Sequence, residues 1–128
     1  MLNGRKCDCM MLGLEVTYST GDVVQHGNVQ TAADGRRTRH AFSLEDKERI
    51  IGVEVNAGWM IDQLTFTTTQ RKIGPFGGPG GGKYSLPVPG LKSAYLAYLV
   101  GRVANDQGDT CIRHLEFVWA YCECQPCT

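Results

Sequence analysis

The sequence predicts an all-β, antiparallel fold, and three observations carry that prediction. Apolar and polar residues alternate in separate runs, turn-forming residues break the chain at short intervals, and one run recurs downstream. The first strand is Leu14-Glu15-Val16-Thr17-Tyr18, where alternation sets one face toward a core and the other toward water. Gly21-Asp22, Gly27-Asn28 and Asp34-Gly35 then mark turns. Leu44 to Ile51 is the one helix candidate, but it is short and has no cap, so it reads as loop followed by strand. Asn56-Ala57-Gly58 turns the chain into the alternating run Ile61-Asp62-Gln63-Leu64-Thr65-Phe66-Thr67. A long Gly/Pro segment follows, then the turn Asp106-Gln107-Gly108-Asp109 and a last strand, Ile112 to Tyr121, rich in β-branched and aromatic residues. Strands so closely spaced by turns predict an antiparallel sandwich or a closed β architecture.

The chain of 128 residues fits a single domain, residues 1–128, which buries roughly two thirds of its unfolded surface on folding. Thirteen basic and thirteen acidic side chains cancel, which argues against a nucleic-acid partner. No apolar run approaches the ~20 residues of a membrane span, so no membrane insertion is expected. The N-terminus lacks a secretory signal segment, which suits a processed mature chain as well as a cytosolic one. Two local charge features remain, the basic cluster Arg36, Arg37, Arg39, His40 and the mixed run Glu45-Asp46-Lys47-Glu48-Arg49. Both read as solvated turn and loop, with a patch for sulfated or phosphorylated glycans open for the first.

Six cysteines crowd the ends: Cys7 and Cys9 in the segment 1–10, Cys122, Cys124 and Cys127 in the segment 122–128, with Cys111 apart. Disulfide staples between the termini, and hence an oxidising, extracellular setting, fit this clustering better than a metal site does. Only Cys124 to Cys127 has zinc-knuckle spacing. Close and wide pairs alternate along an antiparallel ladder. Cys7 and Cys9 are therefore not expected both to bridge straight across to Cys122 and Cys124, and Cys111, Cys127 or another chain should supply a partner.

Gly77 through Lys83 spell G-x-x-x-x-G-K, one residue short of a phosphate-binding P-loop. Such a loop needs a Ser or Thr next and a helix whose N-terminus faces the phosphates. Tyr84 stands in that place, and Pro87 and Pro89 follow, each steering the residue before it away from helix. A nucleotide site is excluded. The glycines instead shape a loop between strands and leave backbone N–H groups free to reach a ligand.

A repeat sets that loop in context. Gly13-Leu14-Glu15-Val16, Gly52-Val53-Glu54-Val55 and Gly101-Arg102-Val103-Ala104 each lead through a turn into a strand, and Ile61-Asp62-Gln63-Leu64-Thr65-Phe66 aligns with Ile112-Arg113-His114-Leu115-Glu116-Phe117. A period of about 50 residues predicts similar sheets in pseudo-symmetric array. Within it, Leu64-Thr65-Phe66-Thr67-Thr68, then Gly74-Pro75-Phe76-Gly77, then Tyr84-Ser85-Leu86-Pro87 form a strand, turn and strand combination. That combination resembles the jacalin-related lectins, over about Leu12 to Tyr121.

The resemblance implies a β-prism of three four-stranded antiparallel Greek-key sheets about a pseudo-threefold axis. It also implies no enzymatic activity, no cofactor and no metal in the sugar site, and glycans or glycoproteins as partners. The family's binding unit pairs a G-x-x-x-D loop with a glycine-rich loop of the same sheet. Gly58-Trp59-Met60-Ile61-Asp62 matches the first, and Gly77, Gly78, Gly80, Gly81 and Gly82 around Pro79 match the second. In such a unit the carboxylate accepts hydrogen bonds from sugar hydroxyls while loop N–H groups donate. Trp59 either lies on a pyranose face or caps the prism end. A second G-x-x-x-D, Gly4-Arg5-Lys6-Cys7-Asp8, marks a candidate second sugar site, although its partner loop from Gly27 to Gly35 has no paired glycines.

The departures are as informative. The family's principal site joins an N-terminal Gly-Gly loop to a C-terminal G-x-x-x-D. The chain begins beyond the former, and Arg113, which accepts no hydrogen bonds, stands in place of the latter's aspartate. That site is expected to be lost or turned toward anions. An open sheet edge should then be covered by terminal disulfides and a partner subunit, which predicts a homodimer, with Cys127 as the candidate link. The chain resembles the mannose/glucose branch more than the galactose branch. The alternative expectation is a prism that has lost its sugar site and serves as an assembly module for polyanions such as sulfated glycans. His26, His40 and His114 lie in different repeats and do not suggest a catalytic set.

Overall fold

The computed structural model describes residues 11, 13–27, 39–78, 80–86, 94–106 and 109–121, with side chains left out at 104–106, 109–111 and 121. Eight strands follow one another: β1 (Gly13–Thr17), β2 (Val23–Gly27), β3 (Ile50–Ala57), β4 (Ile61–Thr68), β5 (Lys72–Gly77), β6 (Gly82–Leu86), β7 (Ala94–Asp106) and β8 (Asp109–Tyr121). All pair antiparallel, in three sheets ordered β1-β2, β5-β4-β3-β6 and β7-β8. The middle sheet is a Greek key, because β6 returns to lie beside β3 after the β3-β4-β5 meander. No described residue is helical, so Leu44 to Ile51 is loop and strand as the missing cap implies. The sequence Gly74-Pro75-Phe76-Gly77 lies inside β5 and is not the turn that its glycines suggest.

The three sheets share one core and form a β-prism. Val53 and Val55 of β3, Ile61, Leu64 and Phe66 of β4, Leu99 of β7, and Ile112 and Leu115 of β8 are buried together with Met11. Leu14 and Val16 bring β1 onto the same cluster. Leu64, Ile112 and Val53 are the largest wholly buried side chains, each adding roughly 1.5–3 kcal/mol by leaving water.

The ladders show how deep the repeat runs. In the β3–β4 pair Val53 faces Phe66, Val55 faces Leu64 and Ala57 faces Ile61. In the β7–β8 pair Leu99 faces Phe117, Gly101 faces Leu115 and Val103 faces Ile112. Each pair has two register shifts at matching places. One passes over Ile51 or Ala97, and the other passes over Asp62 or Arg113. The downstream half of the sequence alignment therefore holds, with Ile61–Phe66 equivalent to Ile112–Phe117. The upstream half does not: Gly101 takes the place of Val55, not of Gly52. The missing side chain is replaced from another sheet, since a Cβ on Gly101 would lie 2.6 Å from Nδ1 of His26.

The mixed run at 45–49 is not simply solvated. Glu48 is buried, and its carboxylate accepts hydrogen bonds from Arg71 Nε (2.9 Å) and Nη2 (3.1 Å), from the Glu45 N–H (2.8 Å) and from the Thr68 hydroxyl. Arg71 also donates to the Ser43 carbonyl (2.7 Å). The cluster clasps the loop before β3 onto the β4–β5 turn. The Arg71 bonds, then those from Glu45 and Thr68, hold the Glu48 carboxyl down to about 2 from its ordinary 4.5.

Candidate functional site

One end of the middle sheet gathers the two loops singled out in the sequence. The β3–β4 loop is closed by a hydrogen bond from the Gly58 N–H to the Met60 carbonyl (3.0 Å). Its side chains divide by direction. Met60 and Ile61 are buried and anchor the loop to the core, so these two can offer a ligand only backbone groups. Trp59 is 61% exposed. Asp62, the residue passed over in the ladder, is freed by that irregularity from the strict alternation of β4, the use to which bulges are commonly put.

The glycine-rich loop between β5 and β6 is built around Asp62. The Gly78 N–H donates to the Asp62 carbonyl at 2.9 Å. Gly77 has φ +99°, and a side chain there would overlap that same carbonyl. Gly81, at φ +69°, is likewise closed to a side chain: a Cβ would sit 2.7 Å from the Asp62 Oδ2 and 2.5 Å from the Ala57 carbonyl carbon. At Gly80 the corresponding distance to Oδ2 is 3.6 Å. Bare backbone thus lies directly beside the carboxylate, which only glycine permits. After Gly82 the chain runs on as β6, not as a helix, in keeping with the exclusion of a P-loop. The ring of Tyr84 returns over this end, its hydroxyl 3.5 Å from where a Cβ on Gly82 would be.

The electrostatics suit a ligand rich in hydroxyl groups. Partial burial raises the Asp62 pKa, and among the described residues nothing donates a hydrogen bond to its carboxylate. The N–H groups of Gly80 and Gly81 likewise have no backbone acceptor among the described residues. Unused acceptors and unused donors therefore stand side by side in a partly dehydrated place, where each bond made is stronger than in open water.

Arg113 joins this end of the prism from the neighbouring sheet. Its guanidinium carbon lies 4.4 Å from the centroid of the Trp59 ring. Met11 links the two sheets beneath: its carbonyl accepts from the Ile112 N–H (3.2 Å), and its Cγ is 3.1 Å from where a Cβ on Gly77 would be. The sequence identifies Arg113 as a missing aspartate in a separate site, lost or turned toward anions, and does not identify Arg113 or Tyr84 as neighbours of the Asp62 loop. The signal for Tyr84 is its place two residues beyond Gly82 on one face of a strand.

The remaining expectations divide by position. Gly4, Arg5, Lys6, Cys7 and Asp8 lie outside the described residues, as do Cys9, Cys122, Cys124, Cys127, Arg36 and Arg37, and so does the side chain of Cys111. In the described half of the basic cluster, Arg39 pairs with Glu15 (3.6 Å) and His40 packs on the Phe76 ring (5.5 Å between centroids). The histidines do not converge. His26 lies against Gly101, and His114 pairs with Glu116 (3.2 Å). Among the described residues no three His, Cys, Asp or Glu side chains form a group able to hold a metal.

A protein-family model described as the Jacalin-like lectin domain matches residues 6–118. In structure the chain is similar to a prostate-specific WGA16 glycoprotein lectin, with a TM-score of 0.64 over 86% of this chain and 72% of that one, at 20% identity. At that identity the likeness speaks for the fold. No curated protein sequence matches the chain.

Proposed function

Because the chain belongs to the Jacalin-like lectin domain family, we propose that it is a carbohydrate-binding lectin for mannose/glucose-type sugars. Its site is the pair of loops Gly58–Asp62 and Gly77–Gly82. The observation that carries this reading is the Asp62 carboxylate, raised in pKa by burial, without a donor among the described residues and lying against the bare backbone of Gly80 and Gly81. Two neighbouring hydroxyls of a hexose donate to the carboxylate while the loop N–H groups donate to the same oxygens, a pattern that a vicinal diol satisfies and a single hydroxyl does not. Trp59 and Tyr84 flank the loops as apolar surface for the ring's C–H faces.

A site this small binds near the millimolar end, about −4 kcal/mol, so useful avidity requires several sites held together. A homodimer, with Cys127 as the candidate cross-link, and an oxidising extracellular setting both follow from that need and from the terminal cysteines. The Asp8 loop is a candidate second site on each chain.

The test is calorimetric titration with methyl α-mannoside and methyl α-galactoside, wild type beside Asp62→Ala. Millimolar binding of the mannoside that disappears in Asp62→Ala is the expected result. Binding that survives the substitution moves the site to the Asp8 loop. Absence of binding to any neutral sugar favours a polyanion-binding assembly module instead.

A further inference from the structure

We propose that Trp59 and Arg113 form an anion subsite beside the hexose site, so that the preferred ligand is a hexose carrying one acidic substituent, a sulfate ester or a carboxylate. The hexose half rests on the sugar-binding reading above. The charged half rests on separate geometry.

Asp62 and Arg113 occupy equivalent positions in two similar sheets, each passed over by the same register shift, each following a buried isoleucine. The scaffold therefore presents one acceptor and one donor at one end of the prism. Trp59, from the Asp62 loop, lies against the Arg113 guanidinium at 4.4 Å, so the two positions meet. A guanidinium held over a ring keeps N–H donors that the ring does not use.

Arg113 is exposed, and among the described residues it has no ion pair and donates no hydrogen bond. Its neighbour His114, by contrast, pairs with Glu116. Held by an aromatic ring and without a carboxylate among the described residues, this guanidinium is a cation that can take up an oxyanion. A planar fork of donors fits an oxyanion with two accessible oxygens, as sulfate and carboxylate both are. Only Met60 and Ile61 stand between Trp59 and Asp62, at most about 11 Å of chain, which a mono- or disaccharide spans. An acidic group over Asp62 would be repelled, so its place is on the Arg113 side.

The test compares methyl α-mannoside with its 6-sulfate, and methyl α-glucoside with methyl α-glucuronide, in wild type, Arg113→Gln, Arg113→Lys and Asp62→Ala, at low and high salt. Wild type should prefer the acidic member of a pair by roughly tenfold, the effect of one charge-assisted hydrogen bond. That ratio should fall toward one in Arg113→Gln, be partly kept in Arg113→Lys, and shrink with added salt. Preference for only one acidic probe assigns the substituent to sulfate or to carboxylate. A ratio near one in wild type, or a preference that survives Arg113→Gln, overturns the proposal. The two readings fail separately. Neutral binding without acidic preference sinks the subsite alone, and acidic binding that ignores Asp62→Ala but needs Arg113 sinks the hexose site alone.

Discussion

Replacing Gly81 by alanine should destroy sugar binding while leaving the prism folded, and the same change at Gly58 should disturb neither binding nor folding. At Gly81 the backbone is left-handed (φ +69°), and an alanine there costs about 1–2 kcal/mol. The added methyl would also meet the Ala57 carbonyl carbon at 2.5 Å and the Asp62 carboxylate at 2.7 Å, where ordinary contacts are about 3.5–4.0 Å. Ala57 is ladder-bonded in β3, so the loop must retreat by about 1 Å and carry its N–H groups off the carboxylate. Losing one charge-assisted bond costs roughly 1.5–3 kcal/mol, which pushes a millimolar site beyond detection. Gly58 differs on both counts. Its φ is not left-handed, and a Cβ there would lie 3.8 Å from the Gly81 Cα, an ordinary contact. Thermal unfolding with and without methyl α-mannoside decides the matter. Gly81→Ala should lower Tm by about 3–8 °C and lose the sugar-induced rise. Gly58→Ala should hold or slightly raise Tm, because a compatible alanine restricts the unfolded chain, and should keep the rise. Wild-type binding by Gly81→Ala, or a folded Gly58→Ala that no longer binds, would refute the role given to the loop backbone.

Two further outcomes follow from the charged groups. Burial raises the Asp62 pKa, so the folded state holds that proton more tightly than the unfolded chain and loses stability as pH rises through the window above 3.8. Asp62→Asn should accordingly raise Tm at neutral pH while abolishing binding, and wild-type affinity should fall as acid protonates the carboxylate; an unchanged or lowered Tm contradicts this. Glu48 has the opposite sign. Its pKa is held down to about 2 by Arg71, Glu45 and Thr68, so its contribution is complete above 4.5 and is lost as pH falls toward 2. Glu48→Gln should be less stable than wild type at neutral pH and should converge with it in acid, as followed by circular dichroism.

The strand pattern was legible because one face of each strand is buried: Leu64 and Phe66 lie inward as their alternation requires. The loops were legible because glycine at Gly77 and Gly81 meets a backbone constraint that no other residue meets. Three things escaped for physical reasons. Register irregularities leave no mark in composition, so Gly101 read as a counterpart of Gly52 when it stands in Val55's place with His26 beside it. Glu48 looked like part of a solvated charge run because its partner Arg71 is distant in sequence. The contact between Trp59 and Arg113 depends on how two sheets meet, which neither loop encodes alone.

The two matching sheets show how such a site can change its chemistry without changing its frame. At Asp62 and at Arg113 the same ladder irregularity follows a buried isoleucine, and leucine and phenylalanine follow at the same intervals. The apolar positions and the register hold each strand in place, so neither depends on the charge of the residue passed over. That residue is free to be acid or base, and the penalty for it falls where it is partly buried. At Asp62 the penalty is the raised pKa, a destabilised carboxylate that a ligand's hydroxyls would relieve. At Arg113 exposure and the Trp59 ring make the cation inexpensive to hold. Stability therefore resides in Ile61, Leu64, Ile112 and Leu115. On the proposed reading selectivity resides in Asp62 and Arg113, and substitutions there should alter what is bound well before they alter whether the chain folds.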